Sequence, residues 1–396
     1  MALQPAAGAR DLNPRQVERN RRICADLAAI YRLWGYQEVA PPGFERLDTL
    51  AAGGGIDGRE LVRLAADEPL GLRPEFTASI ARAAGTRMAE RPRPLRLWTE
   101  GSTFRSSVGD SGLQRIHEQL QSGVELLGEA SAAADAELTR LLLAAAGNLG
   151  LRPEHSPRLL VGHHGVLGAL LQQLPAAQRA AARAALTSFD PIALEQLQLQ
   201  GTDRQRLSAL MRLRGEASQV LYQLEQWLGP IPLLEELSHT LAVVTPAAQR
   251  LGVEVQLDPT YQPHFALYDG LVLKLVCQGP DAPVAIAGGG RYDALVGRFS
   301  GEGQAAAGVG FAFHVEAVRE LLATGAGSSA LSEPGSGPEL VAYGAPQQLA
   351  QALDSLEALH RSAIRAELLP SPFSSHAAAE AVARERACSK LHWLAP

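Results

Sequence analysis

The sequence predicts an α+β protein in which helices flank an antiparallel sheet, with a helical insertion and a small C-terminal α/β domain. Strand-like segments outnumber the helices that could connect parallel strands, which favours antiparallel pairing. The segment from about 158 to 250 is rich in Leu, Ala and Gln with helical periodicity, and predicts the insertion. At 396 residues the chain is too long for one hydrophobic core, so more than one domain is expected.

The N-terminal elements follow from capping and proline signals. Asn13 followed by Pro14 predicts the start of an amphipathic helix that continues to Gly35. Apolar residues recur at roughly helical spacing along it. The segment 35–45 predicts a short strand that stops at two prolines, because proline cannot donate to a sheet ladder.

The remaining elements of the first domain, residues 1–323, are read from periodicity and turn residues. Before the insertion the predicted strands are 69–73, 95–105 and 119–127, and the predicted helices are 78–89 and 132–149. After it the predicted strands are 253–257, 267–276, 283–287 and 308–313. The segment 324–338 has few apolar side chains and predicts a flexible linker. Residues 339–396 then form the small domain, with strands at 339–343 and 364–369 and helices at 347–360 and 376–388.

Composition excludes several classes of function. The formal net charge is −6, so a basic surface that would grip a nucleic-acid backbone is not expected, and no tRNA partner is expected. The three cysteines are far apart, and no zinc spacing occurs, so neither a metal nor a cofactor is predicted. No apolar run reaches the roughly 20 residues that cross a bilayer, and no signal peptide is evident. A cytoplasmic protein is expected.

Three motifs occur in a fixed order along the chain. They are LRPEFTASIAR at 72–82, FRSSVGDSGLQRIHEQLQSGVELLG at 104–128 and IAGGGRYD at 286–293. In this order they resemble the histidyl-tRNA synthetase family and, more completely, its catalysis-deficient paralogues, the ATP phosphoribosyltransferase regulatory subunits. The resemblance implies a class II aminoacyl-tRNA synthetase-like fold. It also implies a homodimer, because the first helix and strand resemble the segment that forms the dimer interface in class II synthetases.

The same resemblance implies a histidine-binding pocket. Its matched positions include a glutamate and a threonine of the first motif and an alternating pair of the second, which a strand would point to one face. A carboxylate in such a pocket suits a ligand that carries an ammonium and an imidazole N–H. The implied histidine-binding residues are Glu75, Thr77, Arg105, Gln121, Glu125, Tyr268 and Tyr292. The glycines at 288–290 would allow close backbone approach to a ligand.

The chemistry of amino-acid activation is missing from the matched positions. The family's arginine before the tyrosine block matches Pro263, and the arginine late in its third motif matches Ala317. In the second motif Ser107 replaces a glutamate and His117 replaces an arginine, although Arg115 is retained. Activation with ATP needs preorganised cations around the phosphates. No catalytic residue is therefore assigned.

The resemblance implies a non-catalytic regulatory subunit of ATP phosphoribosyltransferase, required for the first step of histidine biosynthesis and for feedback by L-histidine. Its expected partner is the short-form catalytic subunit, in a hetero-oligomer. An active histidyl-tRNA synthetase and a histidine sensor with another partner are the alternatives. Whether histidine occupies the ancestral pocket or a subunit interface stays open.

Overall fold

The computed structural model describes residues 5–52, 58–109, 112–151, 153–263, 267–301, 306–324, 337–369 and 371–396. The chain divides into two compact units, Met1–Gly325 and Ala326–Pro396. Of the linker predicted at 324–338, residues 325–336 lie outside the described residues, whereas 324 ends a helix and 337–338 begin a strand. His264 beside Pro263 also lies outside the described residues.

The first unit is built on an eight-stranded mixed sheet. The strands of this unit are β1 (Gln37–Glu38), β2 (Phe44–Arg46), β3 (Leu70–Leu72), β4 (Leu95–Val108), β5 (Gln114–Leu127), β6 (Arg158–His163), β7 (Glu254–Leu257), β8 (Leu271–Gln278), β9 (Pro283–Arg291) and β10 (Gly308–His314). Their spatial order in the main sheet is β1-β4-β5-β10-β9-β8-β6-β7. The central pairs are antiparallel, as predicted, whereas the outer pairs β1–β4 and β6–β7 are parallel. Strands β2 and β3 form a separate two-stranded sheet.

The first helix, α1 (Pro14–Leu33), begins where the sequence predicts. Asn13 Oδ1 accepts from the backbone N–H of Gln16 at 2.9 Å, and the Gln16 side chain accepts from the Asn13 N–H at 3.0 Å, which completes a capping box. Tyr31 packs its ring against Trp98 of β4 and Phe311 of β10, with centroids 6.0 and 6.2 Å apart. These aromatic contacts join α1 to one face of the sheet.

The other helices of the first unit flank the sheet or form the insertion. They are α2 (Leu47–Ala52), α3 (Thr77–Gly85), α4 (Ala132–Asn148), α5 (His164–Gln172), α6 (Ala176–Thr187), α7 (Pro191–Glu195), α8 (Gly201–Leu210), α9 (Ala217–Leu228), α10 (Pro232–Arg250), α11 (Asp293–Phe299) and α12 (Val315–Thr324), with a 3-10 turn at Pro153–His155. The helical segment predicted from about 158 therefore starts too early, because 158–163 is strand β6 of the main sheet. Periodicity alone does not separate a short buried strand from a helical turn.

The second unit contains three parallel strands in the order β12-β11-β13. Its elements are β11 (Gly337–Tyr343), a 3-10 turn (Pro346–Gln348), α13 (Leu349–Arg361), β12 (Ala366–Leu368), α14 (His376–Glu385) and β13 (Cys388–Leu394). Leu340 and Ala342 of β11 pack on one apolar cluster and Val341 and Tyr343 on another, so β11 is buried on both faces. The helix predicted to reach 388 ends at Glu385, and Ala387 follows with φ +53° before β13 begins.

Candidate functional site

A cavity of about 1020 Å³ lies in the first unit. Side chains of α3, β5 and the segment after β7 line it, together with residues of α6, β8, β9 and β10. All seven residues predicted from sequence are among those that line it: Glu75, Thr77, Arg105, Gln121, Glu125, Tyr268 and Tyr292. The structure thus brings residues separated by more than 200 positions to one site.

Glu125 is the most enclosed acid of this cavity, with 7% of its surface exposed. Thr77 Oγ1 donates to its Oε1 at 2.8 Å, and the Tyr292 hydroxyl donates to its Oε2. In the pairing of β5 with β10 it lies opposite Gly310. Two hydroxyl donors therefore orient the carboxyl group.

The protonation of Glu125 is set mainly by burial. Desolvation raises the pKa of this carboxyl from 4.5 to about 8, against the lowering effect of the hydrogen bonds from Tyr292 and Thr77. Near neutral pH this carboxyl group is therefore largely protonated. A cation bound beside it would favour the ionised form.

Glu75 has a second task at the start of α3. Its carboxylate accepts from the backbone N–H groups of Thr77 and Ala78, the latter at 3.1 Å to Oε1. These are helix N-terminal donors that have no partner within the helix. Burial raises the pKa of Glu75 above its usual value, and these hydrogen bonds oppose the rise. Glu75 lines the cavity and also fixes the helix that carries Thr77.

The other predicted residues surround these acids. Arg105 Nε donates to the Pro74 carbonyl oxygen at 3.3 Å, which positions the guanidinium beside Glu75. Gln121 is buried and its Nε2 donates to Gln119 Oε1 at 3.0 Å. Tyr268 lies in the segment that precedes β8, and burial raises the pKa of its phenol well above the usual value.

The glycine run at 288–290 belongs to strand β9 in the middle of the sheet, not to a turn. A Cβ at Gly289 would overlap the backbone of Gly310, and one at Gly290 would lie 2.8 Å from the Tyr268 ring. Gly288 is the open position, with its nearest atom at 3.6 Å. Two of the three glycines are therefore required by packing, and Gly288 and Gly289 line the cavity.

Arg291, which follows the glycines, supports the fold. Its guanidinium forms ion pairs with Asp135 of α4 at 2.7 Å and with Asp293 of α11 at 3.0 Å. It is 7% exposed and does not line the cavity within the described residues. The retained arginine thus ties strand β9 to two helices.

The positions that match the family's activating arginines lie in different parts of the first unit. Pro263 lines the cavity, so the place of the family's arginine carries no donor. Ala317 lies on α12, and Arg115 and His117 lie on β5, where His117 Nε2 is 2.8 Å from Ser107 Oγ. None of these three is among the described residues that line the cavity.

The sequence analysis did not identify five further polar residues that line the same cavity: Arg183, Tyr261, Gln262, Lys274 and His314. One signal was available, because Lys274 is one of two lysines in the chain and interrupts the apolar strand LVLKLV. Within the described ranges no cluster of three His, Cys, Asp or Glu side chains could hold a metal ion. No described helix is long and apolar enough to cross a membrane.

Comparisons of the sequence and of the structure with known proteins agree on the family of this chain. The histidyl-tRNA synthetase family model matches residues 8–318. ATP phosphoribosyltransferase regulatory subunits from Synechococcus sp. (strain RCC307) and Prochlorococcus marinus (strain MIT 9303) are 51% and 48% identical to the chain, with 100% of each sequence covered. A solved structure of an ATP phosphoribosyltransferase regulatory subunit/histidyl-tRNA synthetase from Bacillus halodurans superposes with a TM-score of 0.82 at 22% identity, covering 100% of this chain and 99% of that one. The chain therefore belongs to the ATP phosphoribosyltransferase regulatory subunit family and has the fold of histidyl-tRNA synthetases.

Proposed function

We propose that this protein is the non-catalytic regulatory subunit of an ATP phosphoribosyltransferase and that its cavity binds free L-histidine as the feedback effector. The observation that carries the ligand assignment is the buried Glu125 carboxyl, held by Thr77 and Tyr292 inside the cavity. A buried acid that two hydroxyls orient is prepared for a small cationic ligand, because charge-assisted hydrogen bonds are the stronger kind.

The surrounding groups suit the rest of an amino acid. The Arg105 guanidinium matches the planar geometry of a carboxylate, and the Gln121 amide adds neutral hydrogen-bonding capacity. Tyr268 supplies an aromatic wall with a hydroxyl. Histidine, with an ammonium, a carboxylate and an imidazole, has one group for each of these partners.

Two positions at which the synthetase family has an arginine carry no cation here. Pro263, which lines the cavity, has no donor, and Ala317 on α12, which does not line it, has no polar side chain. Removing a single preorganised donor costs about 3 kcal/mol of transition-state stabilisation. Two such losses leave the ligand pocket intact but disfavour adenylation, which favours a regulator over an active synthetase.

The proposed partner is the short-form catalytic subunit, with the regulatory chain as a homodimer within a cytoplasmic hetero-oligomer. Feedback requires histidine to bind the inhibited and active assemblies with different affinity, commonly by about 1 to 3 kcal/mol. Light scattering should show a dimer alone and a larger complex with the short-form subunit. A monomer that never co-elutes with that subunit would leave the alternative of a histidine sensor with another partner.

Calorimetry on the purified chain, together with inhibition curves of the two-protein complex, tests the ligand and its site. The Glu125→Ala variant should weaken histidine binding and inhibition together, by roughly 2 to 5 kcal/mol, because the bound cation loses its carboxylate. Glu118→Ala on the exposed part of the same strand is the matched control and should change neither. Unchanged histidine affinity in Glu125→Ala would place the effector site on the partner or at the interface.

A further inference from the structure

The cavity has a second polar end, which is formed by Arg183, Tyr261, Gln262, Lys274 and His314 and is called here the basic end. The described residues that line the cavity include two carboxylates, Glu75 and Glu125. Neither Arg183 nor Lys274 forms an ion pair with a carboxylate among the residues that the structure describes. The cations of the basic end therefore lack a counter-charge there.

Lys274 and Arg183 are held in place by neutral neighbours. Lys274 lies in β8 opposite Gly288, and its Nζ is 5.9 Å from the centre of the Tyr261 ring. Arg183 of α6 donates from Nη1 to Gln262 Oε1 at 3.1 Å. The insertion thus contributes one cation and the central sheet the other.

Two polar atoms of the basic end are buried without a hydrogen-bond partner among the described residues. They are Nε2 of Gln262 and Nδ1 of His314. Buried polar groups in folded proteins are nearly always paired, and the Gln262 amide, whose oxygen accepts from Arg183, keeps a donor that suits a ligand's oxygen. Burial lowers the pKa of His314 to about 4, so this imidazole is neutral and can donate or accept.

Two strands, β10 and β9, separate the strand that carries Glu125 from the strand that carries Lys274. Glu125 is opposite Gly310, Gly310 is opposite Gly290, and Gly290 is opposite Val272 of β8, two residues from Lys274. Three strand spacings of about 4.8 Å place β5 and β8 about 14 Å apart. A cavity of about 1020 Å³ is in the range that holds ligands much larger than an amino acid.

We propose that the basic end is a separate binding site for a phosphate monoester, occupied together with the amino-acid end. Two cations match a dianion, and the guanidinium fork and the amide donor match phosphate oxygens. Tyr261 provides an aromatic face for the esterified group. This site goes beyond the regulatory function proposed above and does not depend on histidine binding at Glu125.

The shortage of lysines gives a direct test. Reductive ¹³C-methylation of the full chain labels Lys274, Lys390 and the α-amino group while keeping their charge, and the Lys274→Gln and Lys390→Gln variants assign the two lysine NMR signals. Titration with inorganic phosphate and with phenyl phosphate should shift the Lys274 signal in a saturable way and leave Lys390 unchanged. Phenyl phosphate should bind more tightly than phosphate. A Lys274 signal that does not respond, or that moves in parallel with Lys390, would overturn the site.

Variants separate this site from the histidine site. Calorimetry should show that the affinity for phenyl phosphate falls on the order of tenfold or more in Lys274→Gln and in Arg183→Gln. In Glu125→Ala this affinity should equal that of the wild type. Circular dichroism checks that each variant is folded. Equal affinity in wild type and both basic-end variants would contradict the proposal, as would succinate binding more tightly than the phosphates. Loss of histidine binding in Glu125→Ala with phosphate binding retained would support two independent sites.

Discussion

Gly310 lies directly opposite Glu125 across β10 and β5, and a Cβ at position 310 would overlap the Glu125 carboxylate. The glycine therefore creates the space that the buried acid fills. This makes a residue with no side chain a determinant of the ligand site.

Gly310→Ala should accordingly weaken histidine binding by displacing the Glu125 carboxyl from Thr77 and Tyr292. We expect a loss of at least about tenfold, or 1.4 kcal/mol. The matched control is Gly297→Ala on α11, which is not among the described residues that line the cavity and where a Cβ meets its nearest atom at an ordinary 3.5 Å. Calorimetry on both variants checks the prediction, and equal affinities for the two would contradict it.

Histidine binding should depend on pH through Glu125. The pKa of this carboxyl is about 8 in the empty cavity, so at pH 7 a bound ammonium must first displace a proton. Affinity should rise by up to about tenfold per pH unit between pH 7 and 8 and level off above that, until the ligand ammonium itself titrates. Calorimetry in buffers of different ionisation enthalpy should show proton release at pH 7. Binding without proton release would show that the acid is already ionised.

Glu125→Gln should stabilise the empty protein while it weakens the binding of histidine. The pKa is raised on folding, so between pH 4.5 and 8 the folded state holds a proton that the unfolded state has lost. Stability from this group is present below pH 4.5 and declines as pH rises to about 8, by at most about 1.4 kcal/mol per pH unit. The difference in unfolding free energy between variant and wild type should therefore grow from pH 5 to 8. Urea unfolding at several pH values measures it, and a constant difference would contradict it.

Arg291→Met should destabilise the first unit because it leaves the largely buried Asp135 without its cation. Breaking one partner of a buried ion pair costs about 3 to 5 kcal/mol. The double variant Arg291→Met with Asp135→Leu should recover much of that loss, since both charges are then removed. Urea unfolding of the two single variants and the double variant forms a double-mutant cycle. Additive losses in that cycle would show that the two residues are not coupled.

The purified chain should form no histidyl-adenylate. Pro263 and Ala317 carry no cation for the phosphates of ATP, and preorganised charge is what that step requires. Histidine-dependent ATP–pyrophosphate exchange should remain at the buffer level. Exchange clearly above that level would indicate that the protein is an active histidyl-tRNA synthetase.

The fold class and the start of α1 could be predicted because they depend on local signals. The Asn13 cap, the Pro14 position and the helical periodicity act within a few residues. The family match supplied the seven site residues, and they do line one cavity. Their binding of histidine stays a prediction.

What could not be predicted depends on contacts between distant segments. The glycines of β9 are poor strand formers, and their strand exists because β8 and β10 pack on both sides. The pairing of Arg183 with Gln262 joins residues 79 positions apart, which no periodicity reveals. Strand β13 follows a left-handed residue, Ala387, at a position where the helical pattern continues.

The packing role of Gly289 and Gly290 bears on how such chains are told apart. Because these residues have no side chains, strand β10 and the Tyr268 ring can pack closely against β9. This packing requirement is the same whether or not the protein activates an amino acid. The glycine signature therefore reports inherited architecture, and a gene search that relies on it would group catalysts with regulators. The positions at which the synthetase family has arginines, occupied here by Pro263 and Ala317, are the ones that distinguish synthetases from regulatory subunits.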